Sequence, residues 1–291
     1  MRFVIALMRT LGRLPYATQV RIGNGLGWLL FQLVAPRRRI ALRNLALCFP
    51  DWSEAQRLDV VRAHFKAYAR TFLDRGILWF APQARLEQLI KVEGAEHFEN
   101  NLPAVTGQPL VLLVPHFLGL DAGGMAVAMR TQVVSMYTRQ PNPVLDAQLR
   151  AGRERFSGAE LYSRDDGIRP VVRAMKRGLP FFVLPDMDLG PSDAVFVDFF
   201  GVKAATITVV PRLARMARAR VVPMIATLAD DNSGYRVRFY PPFEDYPGED
   251  DTIATQRMND FIAERVRETP AQYYWVHKRF KTRPPGEASL Y

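Results

Sequence analysis

Apolar residues recur at mixed three- and four-residue steps through the early part of the chain. Between Arg37 and about Phe80 they include Leu42, Leu45, Leu58, Val61, Phe65, Tyr68, Phe72 and Leu73, the spacing of helices with one buried face. Pro50 interrupts the run, and Ser53 followed by Gln56 reads as a capping box that opens the next helix. A short helix is predicted over Ala84–Lys91, and Val92-Glu93-Gly94 leads into another around Ala95–Asn100.

The texture changes at Pro109. Leu110–Pro115 is a short apolar run with β-branched residues and a proline at each end, which reads as a buried strand. Further strands are predicted at Val133–Tyr137, Leu161–Tyr162, Phe181–Leu184, Arg220–Ala226 and Tyr235–Tyr240. Between them the pattern is helical over Pro143–Phe156, Ile168–Arg177 and Thr208–Ala217, and a long amphipathic helix covers Thr252–Glu268. Strands alternating with helices predict an α/β fold with a mostly parallel central sheet flanked by helices. The expected division is an N-terminal region over 1–36, a helical region over 37–108 and an α/β core over 109–291.

The N-terminus carries its own pattern. Met1–Met8 is apolar apart from Arg2, and Arg9, Arg13 and Arg21 follow. Ile22–Ala35 is then free of charge, and Arg37-Arg38-Arg39 closes it. Fourteen uncharged residues fall short of the roughly 20 that a spanning helix needs, and no small-residue cleavage site follows. A membrane-associating helix lying in the interface fits this run, with an ordinary core helix as the other reading.

Net charge adds a constraint. The 291 residues carry 39 Lys and Arg against 29 Asp and Glu, a balance of +10 that favours negatively charged partners. Nucleic acid, anionic lipid and an acidic carrier protein are the candidates, and no aromatic-rich motif with interleaved basic residues favours nucleic acid. The single cysteine, Cys48, excludes an intrachain disulfide and a thiolate metal site. The four histidines, His64, His97, His116 and His277, show no zinc-binding spacing. No metal or bound cofactor is expected.

The candidate chemistry sits in Pro115–Asp121, reading PHFLGLD, directly after the predicted strand. Ligand sites in open α/β sheets gather at this edge. In regular helix His116 and Asp121 would point about 140° apart, so the pair belongs on a strand-to-helix turn. There the Asp121 carboxylate is expected to accept a hydrogen bond from the imidazole, which raises the basicity of the other nitrogen. Such a base can take a proton from a substrate hydroxyl. Backbone N–H groups of the turn are the expected donors to an oxyanion. The alternative is a histidine that caps the next helix, with Asp121 on its surface.

Several stretches complete a pattern around that motif: RRRIALRNLALCFPDWS (Arg37–Ser53), GRERF (Gly152–Phe156), RDDG (Arg164–Gly167), LPDMDLGP (Leu184–Pro191), VFVDFFG (Val195–Gly201), RLARMARARVVP (Arg212–Pro223) and QYYWVHKRFKTRP (Gln272–Pro284). In this order they resemble the bacterial lipid A biosynthesis acyltransferases, lauroyl and myristoyl transferases within the glycerolipid acyltransferase superfamily. The resemblance implies a glycerolipid-acyltransferase-like core, with His116 as base and Asp121 as its orienter. It implies that Arg153 and Arg164 bind an anionic acceptor group, and that Asp186 holds these arginines or an acceptor hydroxyl. It further implies an acyl-carrier protein or acyl-CoA donor, a lipid A precursor as acceptor, and a place at the cytoplasmic face of a bacterial inner membrane rich in anionic lipid. Many members carry Glu where this chain has Asp121, which leaves acceptor identity less defined. A glycerophosphate or lysophospholipid acyltransferase is the neighbouring alternative. A basic membrane- or RNA-associated protein without activity is the remote one.

Overall fold

A computed structural model describes the whole chain, Met1–Tyr291. Four helices come first: α1 (Arg2–Leu11), α2 (Tyr16–Leu33), α3 (Ala35–Cys48) and α4 (Glu54–Phe80). The expected capping box opens α4, with the Gln56 N–H donating to Ser53 Oγ at 3.2 Å and the Ser53 N–H donating to Gln56 Oε1 at 2.8 Å. At 27 residues α4 is the spine against which α1 and α2 lie. The approach of α2 is closest at Gly27, where a Cβ would stand 2.4 Å from the Lys66 Cα. The Phe31 ring meets Phe65 edge-on at 5.8 Å. The uncharged Ile22–Ala35 run therefore has two faces. One packs on α4, and the other exposes Ile22, Trp28, Leu29 and Leu33. No helix is long and apolar enough to cross a membrane.

Two buried titratable groups tie α4 to its surroundings. Asp74 accepts from the Tyr16 hydroxyl at 3.0 Å and the Tyr235 hydroxyl at 2.7 Å, yet burial still pushes its carboxyl up to about 6. His64 Nδ1 lies 3.0 Å from the Ala271 carbonyl oxygen, and burial pushes that imidazole down to about 4. It is neutral and donates from Nδ1.

Next come α5 (Gln83–Leu89), β1 (Ile90–Glu93), α6 (Ala95–Glu99), α7 (Pro103–Thr106), β2 (Leu110–Leu113), α8 (Leu120–Ala128), β3 (Val134–Tyr137), α9 (Pro143–Arg153) and β4 (Glu160–Ser163). They are followed by α10 (Arg169–Lys176), β5 (Phe181–Val183), β6 (Ala194–Phe199), β7 (Val202–Ile207), α11 (Val209–Ala217), β8 (Arg220–Leu228), β9 (Tyr235–Phe239) and α12 (Asp251–Glu268). Seven strands form one sheet in the order β1-β9-β8-β2-β5-β3-β4, parallel throughout except for the β8–β9 pair. Both faces of β2 are buried, Val111 and Leu113 in one apolar core and Leu110 and Leu112 in the other. That explains its unbroken apolar sequence.

Two elements depart from the periodicity. The helix expected over Ala84–Lys91 stops at Leu89, and Ile90–Glu93 is an edge strand that exists through parallel pairing with β9. Four residues are too few to show alternation. The β6–β7 hairpin falls in a stretch where no element was predicted. Its turn residues Phe200 and Gly201 both have positive φ, 56° and 77°, the conformation of a two-residue hairpin turn. Asn-Gly or Asp-Gly would have announced such a turn, whereas here the Phe200 ring packs between Phe49 and Phe199.

Gly27→Ala is expected to lower stability by ~1–3 kcal/mol, because a methyl group has no room between α2 and α4. Urea unfolding should show an earlier midpoint with an unchanged slope.

Candidate active site

The chain leaves β2 through Val114 and Pro115 and reaches His116, whose side chain is 19% exposed. Strand register selects its partner. Leu113 on β2 stands opposite Val183 on the parallel strand β5, so three residues further on His116 and Asp186 emerge side by side. The His116 N–H donates to Asp186 Oδ2 at 2.9 Å, and the His116 Nδ1 lies 2.6 Å from Oδ1. This bond makes Nδ1 the donor and leaves the Nε2 lone pair available. Asp186 is 2% exposed. Burial pushes its carboxyl up, but the His116 imidazole, the two hydrogen bonds from His116 and the more distant Arg279 outweigh it and hold it below the usual carboxylate range.

Asp121, expected as the orienter, is turned away. It lies in the first turn of α8, where its Oδ2 accepts from Arg75 Nε at 2.8 Å and its Oδ1 from Arg153 Nη2 at 3.3 Å. Burial pushes this carboxyl up as well, yet the two guanidinium groups hold it at about 2. Asp121 is thus the junction of α8 with α4 and α9. The roles expected of the two acids are exchanged: Asp186 holds the imidazole instead of the arginines, and Asp121 holds Arg153. Arg164 lies on the exposed turn after β4, and its side chain forms no hydrogen bond or ion pair. Three strand spacings of roughly 4.8 Å separate β4 from β2, so Arg164 shares the sheet edge with His116 without touching it.

The turn between β2 and α8 is held from two sides. Gly119 sits against β8, where a Cβ would lie 2.5 Å from the Ala226 carbonyl, and its N–H donates to that oxygen at 3.1 Å. On the other side the Leu118 N–H donates to the Gln272 carbonyl at 2.8 Å, and the Tyr274 N–H donates to the His116 carbonyl at 3.0 Å. The Phe117 N–H bonds to Pro115 and the Leu120 N–H to Phe117. Every N–H from His116 to Leu120 is therefore spent within the protein. These five are not the oxyanion donors expected of the turn.

Sequence reasoning missed the remaining members of the site. Arg75 comes from the C-terminal part of α4, 46 residues from the carboxylate that it grips, with no spacing to betray it. The Tyr274 ring stands 6.3 Å from the His116 ring and 5.9 Å from Tyr68, forming a wall beside the imidazole. The conspicuous block Gln272–Pro284 was the available signal, since it supplies Tyr273, Tyr274, His277 and Arg279 around the pair. No three His, Cys, Asp or Glu side chains stand together as metal ligands would.

A mixed, mostly parallel sheet with a histidine–carboxylate pair at the carboxyl edge of its central strands is the framework of an α/β enzyme, and its class is that of the acyltransferases. The chain belongs to the bacterial lipid A biosynthesis acyltransferase family, whose profile matches residues 1–282. It is 34% identical over 280 residues to the lipid A biosynthesis lauroyltransferase of Escherichia coli (strain K12), covering 96% of this chain and 90% of that one. It is 34% identical over 255 residues to the lipid A biosynthesis myristoyltransferase of the same organism, covering 87% and 78%. Against the palmitoleoyltransferase the identity is 30% over 280 residues, covering 96% and 90%. Among solved structures, a 1-acyl-sn-glycerophosphate acyltransferase from Thermotoga maritima aligns with a TM-score of 0.40 and 13% identity, covering 86% of this chain and 99% of that one.

The clamp on Asp121 has a pH signature. Its carboxyl titrates near 2 in the fold and near 3.9 in an unfolded chain, so the stabilisation is present above ~4 and is lost as pH falls towards 2. Asp121→Asn is expected to cost about 2 kcal/mol at pH 6, with the gap from the parent closing between pH 4 and 2. Denaturant titrations across that range check it.

Proposed function

We propose that the protein transfers a fatty-acyl group from an activated thioester, carried by acyl-carrier protein or coenzyme A, to a hydroxyl of a lipid A precursor. The product carries one more secondary acyl chain. The observation that supports this chemistry best is the 2.6 Å contact of His116 Nδ1 with buried Asp186. With Nδ1–H held by the carboxylate, Nε2 takes the proton of the acceptor hydroxyl. The alkoxide attacks the thioester carbonyl, the carbon–sulfur bond breaks, and the imidazolium returns its proton to the departing thiolate. Asp186 stabilises the imidazolium while it exists, the role of the carboxylate in a hydrolase triad. Cys48 is buried, and burial raises its thiol strongly, so it is unsuited to act as nucleophile.

Anion binding by Arg164, and by the part of Arg153 left free by Asp121, suits the phosphates of such an acceptor. The outer faces of α1 and α2 suit a lipid surface. Phe3 and Trp28 are 78% and 59% exposed, Leu7 and Leu29 are also exposed, and Arg2, Arg9, Arg13 and Arg21 lie among them. Apolar side chains that insert, flanked by cations that meet anionic headgroups, make an interfacial anchor. With such an anchor the protein would sit at the cytoplasmic face of a bacterial inner membrane.

His116→Ala and Asp186→Asn are each expected to reduce turnover by ~10² to 10⁴ while the fold persists. Turnover of acyl thioester with lipid A precursor, followed by mass spectrometry, reads the loss as one missing acyl chain. A folded His116→Ala protein with near-parental turnover would overturn the mechanism.

Removal of residues 1–35 would strip the packing from α4, so point substitutions test the membrane reading better. Phe3→Asp combined with Trp28→Asp should shift the protein from vesicles containing anionic lipid into solution in a flotation assay. Unchanged flotation would place the docking surface elsewhere.

A further inference from the structure

Arg279 is a buried charge with no role in the mechanism above. It is 2% exposed and donates to the Ala205 carbonyl at 2.9 Å and to Thr206 Oγ1 at 2.8 Å, both uncharged. Its Nε has no partner, the Phe199 ring lies 5.4 Å away, and no carboxylate comes within 4.0 Å. A guanidinium cannot escape burial by losing its proton, so an opposite charge must share its low-dielectric surroundings.

Two buried acids in the loop after β5, Asp186 and Asp188, could balance it. Asp188 is already engaged, accepting from the Thr282 N–H at 2.6 Å, the Thr282 hydroxyl at 2.8 Å and the Gly190 N–H at 3.0 Å, with Lys281 at 3.9 Å. Asp186 is the other. It shares with Arg279, His116, His277 and Asn44 the wall of a cavity of only about 10 Å³, and the Arg279 charge is among the influences that hold its carboxyl below the usual range. We propose that Arg279 is a positioning residue of the active site, holding Asp186 as a carboxylate from behind while Asp186 holds His116. The proposal rests on the reading of the His116–Asp186 pair as the base.

The other titratable groups that line this cavity, His277, Tyr273 and Tyr274, are uncharged near neutral pH. Burial, then the neighbouring Arg279, pushes the His277 imidazole down to about 4. Burial raises the phenol of Tyr273 and the thiol of Cys48 well above their usual ranges. Asp186 and Arg279 are then the opposed fixed charges beside the imidazole. Loss of the cation favours the protonated form of Asp186. A protonated Asp186 neither orients the ring nor stabilises the imidazolium.

In the full-length enzyme assayed with acyl-coenzyme A and a purified lipid A precursor, Arg279→Met should move the acidic limb of the kcat/KM profile to higher pH. The loss should be about tenfold or more on that limb and should shrink on the alkaline side. Arg279→Lys should restore the limb, with KM for both substrates near the parental values. Thr206→Val, which removes one hydrogen bond to Arg279 but no charge, should leave the limb in place. A folded Arg279→Met protein whose loss is the same at every pH, or absent, would show that Arg279 is only a packing bolt. Should the neutral variant fail to fold, a limb displaced upwards in Arg279→Lys overturns the proposal as well. Activity surviving in His116→Ala would instead sink the base reading itself, and the two failures are distinguishable.

Discussion

Two hydrogen bonds from one residue to one buried carboxylate hold the site together. Asp186 accepts both the backbone N–H and the ring Nδ1 of His116, so the main chain at the end of β2 and the imidazole are fixed by a single acceptor. A side-chain bond alone would leave the ring free to follow any shift of the turn. The double bond is possible because β2 and β5 are neighbours in parallel register, which brings the third residue beyond each strand alongside the other. A slip of one residue in that pairing would turn the carboxylate to the other face of the sheet.

The rest of the architecture makes this arrangement stiff. Gly119 lets the turn lie directly on β8, and the segment from Gln272 to Tyr274 runs along its other side as a short antiparallel partner. That segment is anchored in turn. Trp275 is fully buried with its indole N–H donating to Pro270, and Asn44 of α3 donates to the carbonyls of Trp275 and His277 at 2.7 Å each. His64 of α4 contributes a further tie at Ala271. Helices from the N-terminal third thus brace the C-terminal wall of the site, a long-range dependence that would couple damage in α3 or α4 to the His116 imidazole.

Charge is distributed in two layers around the imidazole. Behind it lie the buried carboxylate of Asp186 and, past a small cavity, Arg279. In front of it stand Tyr274 and Tyr68, with Arg75 divided between Asp121 and the rings of Phe72 and Trp79. The Arg75–Asp121–Arg153 cluster carries one net positive charge at the mouth of the sheet edge. A site with a neutralised rear and a cationic front draws anionic groups to its rim.

By itself the sequence determined the strands and helices wherever periodicity or punctuation was strong. The capping box at Ser53, the buried strand at Leu110 and the long helix to Glu268 are all set by residues within a few positions of one another. The histidine of the site was legible for the same reason, since a His directly after a buried strand is a local pattern, and the family was legible from ordered blocks. The edge strand at Ile90 and the hairpin around Phe200 were not, because one depends on pairing with β9 and the other on aromatic packing that overrides turn propensity. The partner of the histidine was also beyond local reading. His-x-x-x-x-Asp offered Asp121, but α8 swings that carboxylate towards Arg75 and Arg153, while strand order brings Asp186 across 70 residues of chain. Strand order is a property of the whole sheet, and only the folded chain could decide which acid the histidine would meet.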